Sequence, residues 1–159
     1  MRHLLPLFSF AVLASLCGCV QPTKAPSPYG VCAHVTRGGE AEIQVAELGL
    51  MRQADIAWVR SDFDWSGIQS KADGAWDFTR LDTVISNAEQ HGVQILPILG
   101  YDTEFANPAF THLPLWENYV RAVSARYCGR LPVLELWNEQ NINGFGKDSN
   151  PTNYLPLLR

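Results

Sequence analysis

The chain has 159 residues, with 12 Lys and Arg against 16 Asp and Glu for a formal net charge of −4, and 47% of its residues are hydrophobic. This is enough apolar material for one buried core, and the acidic balance argues against nucleic acid as a partner, because phosphate contacts need a surplus of cations. The four histidines are scattered and the four cysteines show no metal-ligand spacing, so no metal and no cofactor is expected.

In chain order, residues 1–18 read as a secretion signal. Arg2 and His3 give a basic start, and the apolar stretch from Leu4 to Leu16 is too short to remain as a membrane-spanning helix. It closes on Leu16-Cys17-Gly18-Cys19, which resembles the bacterial lipobox, where the peptide is cut before a cysteine that then carries lipid. That resemblance implies Cys19 as an acylated N-terminus and a lipoprotein of the bacterial cell envelope, facing the periplasm or the exterior. Cys17 departs from the small or aliphatic residue usual at its position, which leaves a free secreted or periplasmic protein as the alternative. Residues 19–29, with Pro22, Pro26 and Pro28 among Thr, Ser and Lys, read as an extended tether. From Cys19 the chain keeps 141 residues, 11 of them basic and 16 acidic.

From residue 30 the apolar pattern alternates between short continuous runs and helical spacing, the signature of βα units around a parallel sheet. Gly30 to Val35 is the first strand, followed by a helix over Ala41 to Gln53 with Ile43, Ala46, Leu50 and Met51 on one face. Ile56 to Phe63 is the second strand, rich in aromatic and β-branched residues. The next helix starts at Thr79 as N-cap with Asp82 three residues on; Leu81, Val84, Ile85 and Ala88 form its buried face and Gly92 its stop. Val93 to Leu99 is the third strand, although Pro97 counts against a fully paired central position. Trp116, Tyr119, Val120 and Val123 mark a third helix, Pro132 to Trp137 the fourth strand, and Asn150-Pro151-Thr152 the start of a fourth helix with Tyr154, Leu155 and Leu158 as its core face.

The expected fold is α/β of the (β/α)8 TIM-barrel type, present as roughly its first four βα units over residues 30–159. A complete barrel takes about 250 residues, so the chain is expected to be an N-terminal half with two open sheet edges. After removal of the signal, Cys32 and Cys128 are the remaining thiols besides Cys19. An oxidising compartment invites a disulfide, but a first-strand residue and one just before the fourth strand lie on opposite sides of such a barrel, so small buried apolar thiols are the favoured reading.

Parallel strands put all their C-terminal ends at one rim, where barrel enzymes keep their chemistry. There the first strand delivers His34, the second Arg60, Asp62 and Trp65, the third Tyr101 and Asp102, and the fourth Trp137, Asn138 and Glu139. Glycoside cleavage needs an acid for the leaving oxygen, a second carboxylate, hydroxyl-binding polar groups and an aromatic platform. Glu139 supplies only one half of that carboxylate pair.

The stretches WVRSDFDW, WDFTRLD, HGVQILPILGY and LELWNEQN together resemble the N-terminal half of a clan A glycoside hydrolase, in the manner of the family 39 β-xylosidases and the family 5 cellulases. The resemblance covers residues 30–159. It implies a retaining barrel enzyme that splits O-glycosyl bonds in a polysaccharide or oligosaccharide, with Glu139 as proton donor and acid/base. Asn138 would bond the hydroxyl next to the reacting carbon, Arg60 would sit near the nucleophile, and His34 and Tyr101 would line the sugar subsite. The nucleophilic Glu of these families follows the seventh strand, which this chain does not contain. Asp55 stands where they often have Gly, and Gln140 where many have Pro.

Structural alternatives accompany these roles. Arg60 and Glu135 can form a pair fixing the barrel floor, since a charge inside a strand survives only when paired. Of the tryptophans, Trp58 and Trp76 read as packing, while Trp65 and Trp137, near strand ends, are the candidates for carbohydrate contact. His34 can be a hydrogen-bonded core residue, and Asp62 and Asp64 can cap the following loop. Asp62 and Asp102 come into question as replacement nucleophiles, but nothing in the sequence places either beside Glu139. A lipid-anchored carbohydrate-binding or interaction protein without catalysis is the competing function, and a second chain that completes the barrel is a possible partner.

Overall fold

A computed structural model describes residues 27–39 and 41–159. The expected signal segment, the expected lipidation site Cys19 and the expected tether up to residue 26 lie outside the described residues. The tether's last residues already belong to the sheet, because the Tyr29 carbonyl accepts from the N–H groups of Ala57 and Trp58. No described helix is long and apolar enough to cross a membrane.

Four strands, β1 (Gly30–Cys32), β2 (Trp58–Asp64), β3 (Gln94–Gly100) and β4 (Glu135–Leu136), pair in the order β1-β2-β3-β4, every pair parallel. Helices α1 (Ala41–Gln53), α3 (Thr79–Gln90) and α4 (Leu113–Arg126) provide the crossovers, and short helices α2 (Trp65–Ile68) and α5 (Pro151–Tyr154) follow β2 and β4. Sequential parallel strands joined by helices are the first βα units of a TIM barrel. The two outer strands, β1 and β4, each have one partner among the described residues.

Strand parity splits the sheet into two faces. Val59, Ser61 and Phe63 of β2, with Ile95, Pro97 and Leu99 of β3, are buried on the helix side. They meet Leu81, Val84, Ile85 and Ala88 of α3 and Trp116, Tyr119 and Val123 of α4 in one core. The opposite face, the barrel interior, carries Cys32, Arg60, Asp62 and Glu135, so its chemistry is polar. Pro97 is tolerated in mid-strand for a local reason. Gln94 donates its N–H to Ala57 beside β2 and Leu99 accepts from Trp137 beside β4, so odd-numbered β3 residues direct their backbone groups toward β4. Pairing with β4 begins only at Ile98, and the N–H that proline lacks has no ladder to join.

Several expectations need correcting. β1 ends at Cys32 and not Val35, because Thr36 turns inward to bond the Ser61 hydroxyl at 2.8 Å and the Asp62 carbonyl. β4 covers two residues instead of six, since Pro132 has no N–H and pairing reaches only Leu99 and its neighbour. Helix α1 has the expected bounds but a different face: Leu48 and Met51 are buried, whereas Ile43 and Leu50 are more than half exposed. Thr79 is the first residue of α3, and Asp77 takes its N–H in place of a threonine cap. After Asn150 caps α5, Leu157 is the buried residue, and Leu155 and Leu158 face outward. Cys32 and Cys128 are both free and exposed, in place of the buried thiols expected.

Candidate active site

At the C-terminal rim, Arg60 is the organising cation. Its Nε and Nη2 donate to the two carboxylate oxygens of Glu135 at 2.7 and 2.6 Å, and Nη2 also donates to Asn138 Oδ1 at 2.7 Å. Its Nη1 reaches Cys32 Sγ at 3.6 Å. The two bonds make a bidentate pair, and the bond to Glu135 is the main reason that the guanidinium holds its proton more tightly than usual. The pairing expected of Arg60 and Glu135 is present. It also turns the Asn138 amide, because an occupied Oδ1 leaves Nδ2 to face a ligand as a donor.

Asp62 is buried and fully engaged. Tyr101 donates its hydroxyl to Oδ1 at 2.5 Å, while His34 Nδ1 and Arg37 Nε lie 3.0 and 3.3 Å from Oδ2. Burial, then the Asp62 bond, pushes the Tyr101 hydroxyl well above its ordinary range, so it stays a donor. Asp62 therefore neither caps a loop nor has a free oxygen for a nucleophile's work. Asp102 is also committed, accepting the N–H of Ala109 at 2.7 Å and that of Lys147 at 3.3 Å.

Arg37 is a site residue that the sequence reading missed. It grips Asp64 with two bonds of 3.0 Å and lies over the Tyr101 ring at 5.6 Å. The available signal was position alone: it follows His34 by three residues in the first βα loop.

The two tryptophans proposed as platforms are elsewhere. Trp65 has no exposed surface; it stacks on Tyr119 at 5.2 Å and meets Phe105 and Trp116 edge-on. Trp137 is 5% exposed, set between Tyr101 and Trp116. Trp65 itself opens α2, which turns its indole back into the core, and Trp137 adopts a left-handed backbone (φ 69°) that ends β4 and tucks the ring inward. Neither offers a ring face to a sugar.

Glu139, in the turn just past β4, is exposed, and its carboxylate has no partner among the described residues. Of the acids at the strand ends, it alone keeps its oxygens free: Asp62, Asp64, Asp102 and Glu135 are all held. No group of three or more metal-ligating side chains occurs among the described residues.

The family sequence model described as "Glyco_hydro_42: Beta-galactosidase" matches residues 37–110. No curated protein matches the chain in sequence. Among solved structures, a family 39 glycoside hydrolase from Bacteroides cellulosilyticus WH2 is 23% identical with a TM-score of 0.64, over 84% of this chain and 28% of its own. A monomeric β-xylosidase from Caulobacter crescentus CB15 is 20% identical with a TM-score of 0.60, over 82% of this chain and 31% of its own. A β-galactosidase from the psychrophilic Marinomonas ef1 is 18% identical with a TM-score of 0.52, over 68% and 21%. At such identities the likeness is one of fold, and this chain spans less than a third of each of these structures. The chain is thus similar in sequence to a glycoside hydrolase family over residues 37–110, and in fold it carries the first four βα units of a TIM barrel.

Proposed function

We propose that this chain is the acid/base-bearing part of a retaining glycoside hydrolase acting on a polysaccharide or oligosaccharide. The observation that carries the reading is the pair at the end of β4: a free carboxylate, Glu139, directly after an amide that Arg60 has oriented as a donor. In the first step Glu139 gives its proton to the leaving glycosidic oxygen; in the second it takes one from the water that attacks the glycosyl-enzyme. Asn138 Nδ2 holds the oxygen of the hydroxyl next to the reacting carbon. The nucleophile is not among Asp62, Asp64, Asp102 and Glu135, since each is committed to a structural bond, and in the clan A pattern it belongs to the seventh strand. Turnover therefore needs the rest of a barrel, as a longer form of this chain or as a second polypeptide.

The test uses the longer form, or a fusion with the second half of a related barrel. Glu139→Ala should abolish hydrolysis of glycosides with poor leaving groups, which need a proton, and spare more activity on activated aryl glycosides. Azide should restore part of the turnover by attacking the glycosyl-enzyme without a general base. Equal loss on both substrate types with no azide effect would remove Glu139 from this role.

The same proposal extends to location: Cys19 carries lipid and holds the barrel at the cell envelope. Fatty-acid label should enter the wild-type chain and not Cys19→Ser; label retained by the variant would overturn the assignment.

A further inference from the structure

Asn143 is the one asparagine of the chain that is followed by glycine, and Asp73 is the one aspartate so followed. Both pairs carry a chemistry that needs no enzyme. The backbone nitrogen of the glycine can attack the side-chain carbonyl carbon of the residue before it, because no Cβ shields that nitrogen or narrows its rotations. The attack demands a nitrogen free of other bonds, so the fold decides which of the two pairs reacts.

At Gly144 the fold leaves the nitrogen open. Asn143 and Gly144 are exposed in the turn-rich loop after Glu139, and the Gly144 N–H donates no hydrogen bond among the described residues. A Cβ on Gly144 would meet nothing within 4 Å, so the loop is uncrowded there. The Asn143 side chain is held by one bond, from the Ser149 N–H to Oδ1 at 2.8 Å. That bond occupies the oxygen and not the carbon under attack, and it draws electron density toward the atom that takes the negative charge as the new bond forms. Gly74 is the opposite case. Its N–H is tied to the Lys71 carbonyl at 2.9 Å, and the same carbonyl oxygen would lie 3.1 Å from a Cβ.

We propose that Asn143 is a site of spontaneous deamidation, the Gly144 nitrogen being the attacking group and water the only co-reactant. The nitrogen bonds to Asn143 Cγ, the Cγ–Nδ2 bond breaks, and the amide leaves as ammonia with the proton that the Gly144 N–H gave up. The product is a cyclic succinimide. Water then opens the ring at either carbonyl: at Cγ it leaves aspartate in a normal backbone, and at the main-chain carbon it leaves isoaspartate, with the chain routed through the side chain. Nothing is oxidised or reduced, and an amide becomes a carboxylate. Asn143 shares the walls of one cleft with Asp102 and Asp148, whose cations are Arg37 and Lys147, so the product makes that cleft more acidic. The assignment is independent of the glycosidase reading.

The experiment incubates the 159-residue chain, folded and in urea, and follows aspartate and isoaspartate at positions 73 and 143 by peptide mapping with mass spectrometry. In the folded chain position 143 should convert while position 73 keeps its normal backbone; in urea both should react. The rate at position 143 should rise on the order of tenfold per pH unit across neutrality, because the deprotonated fraction of so weak an acid grows in that proportion. Gly144→Ala has room for its Cβ and a φ outside the left-handed range, so it should fold as before and slow the conversion about tenfold or more. An Asn143 that is stable in the folded chain and converts only in urea would overturn the proposal. So would conversion indifferent to Gly144→Ala, which would mean direct hydrolysis of the amide, or isoaspartate forming as fast at position 73 as at position 143 in the folded chain.

Discussion

Arg60 has more donors than one partner can use, and it divides them between Glu135 and Asn138. Glu135 is therefore the residue that keeps the guanidinium still, and Asn138 inherits its orientation from a carboxylate it does not touch. Glu135→Ala should destabilise the fold by about 1–2 kcal/mol, a figure kept below that of a fully buried pair because both side chains are about 30% exposed. In the active, longer form it should also lower the rate on every glycoside without altering the leaving-group dependence, and Glu135→Gln should recover part of both losses. A changed leaving-group dependence would mean that Glu135 acts on the proton transfer itself. The pairing could be read from sequence because a charge in mid-strand demands a partner. The fate of Trp65 and Trp137 could not, because the same indole at a strand end serves as platform or core according to a backbone turn of one residue. Arg37 was illegible for a related reason: an arginine in a glycine-flanked loop has no periodicity to betray where it points.

Helix α3 is joined by two ion pairs to the last residue of α4 and to the turn that follows it, on top of a shared apolar face. Arg126 and Tyr127 both bond Asp82, and Arg130 bonds Glu89 at 2.7–2.8 Å. The Arg126 bond holds the Asp82 carboxyl below its ordinary 3.8, and the Arg130 bond holds Glu89 below its ordinary 4.5. A carboxyl lowered in the folded state contributes stability that is present above its unfolded value and lost as pH falls through the folded one. Urea midpoints should therefore be nearly flat from neutrality down to about pH 5 and fall below that. Both carboxylates are a third to a half exposed, so the two pairs together contribute only about 1 kcal/mol. An Asp82→Asn, Glu89→Gln chain should show a shallower acid slope than wild type; an identical slope would assign the acid loss to other carboxylates. The buried face of helix α3 was legible, since Leu81, Val84, Ile85 and Ala88 leave one choice, although Thr79 is its first residue and not its cap. Helix α1 was legible in extent only. Its apolar residues are spread around the cylinder, and which of them meet the sheet depends on a neighbour that periodicity does not reveal.

At the scale of the molecule, four parallel strands in sequential order were countable in the sequence, because each strand and helix carries its own local pattern. The state of the sheet edges was not, since it depends on what lies beyond them. Just before β1 and on α1 the exposed large apolar residues are Tyr29, Ile43, Val45 and Leu50; on either side of β4 they are Val133, Ile142, Leu155 and Leu158. If a second half of the barrel closes against β1 and β4, these flanks become interior, and substitutions there should change sign between the two forms. In the isolated chain, Ile43→Lys and Leu50→Lys should leave the urea midpoint nearly unchanged, because both side chains stand more than half in water, and should reduce self-association in sedimentation runs. In the completed barrel the same pair should destabilise by about 2–4 kcal/mol, since each would forfeit the burial of a large aliphatic side chain and place an ammonium in the new seam. The isolated chain should also hydrolyse no glycoside by the retaining route, since among the acids at its strand ends Glu139 alone is free and two carboxylates are required. Equal and negligible effects of the Lys substitutions in both forms would mean that α1 faces solvent in the complete enzyme, and that the barrel closes across β1 by backbone pairing without help from this helix.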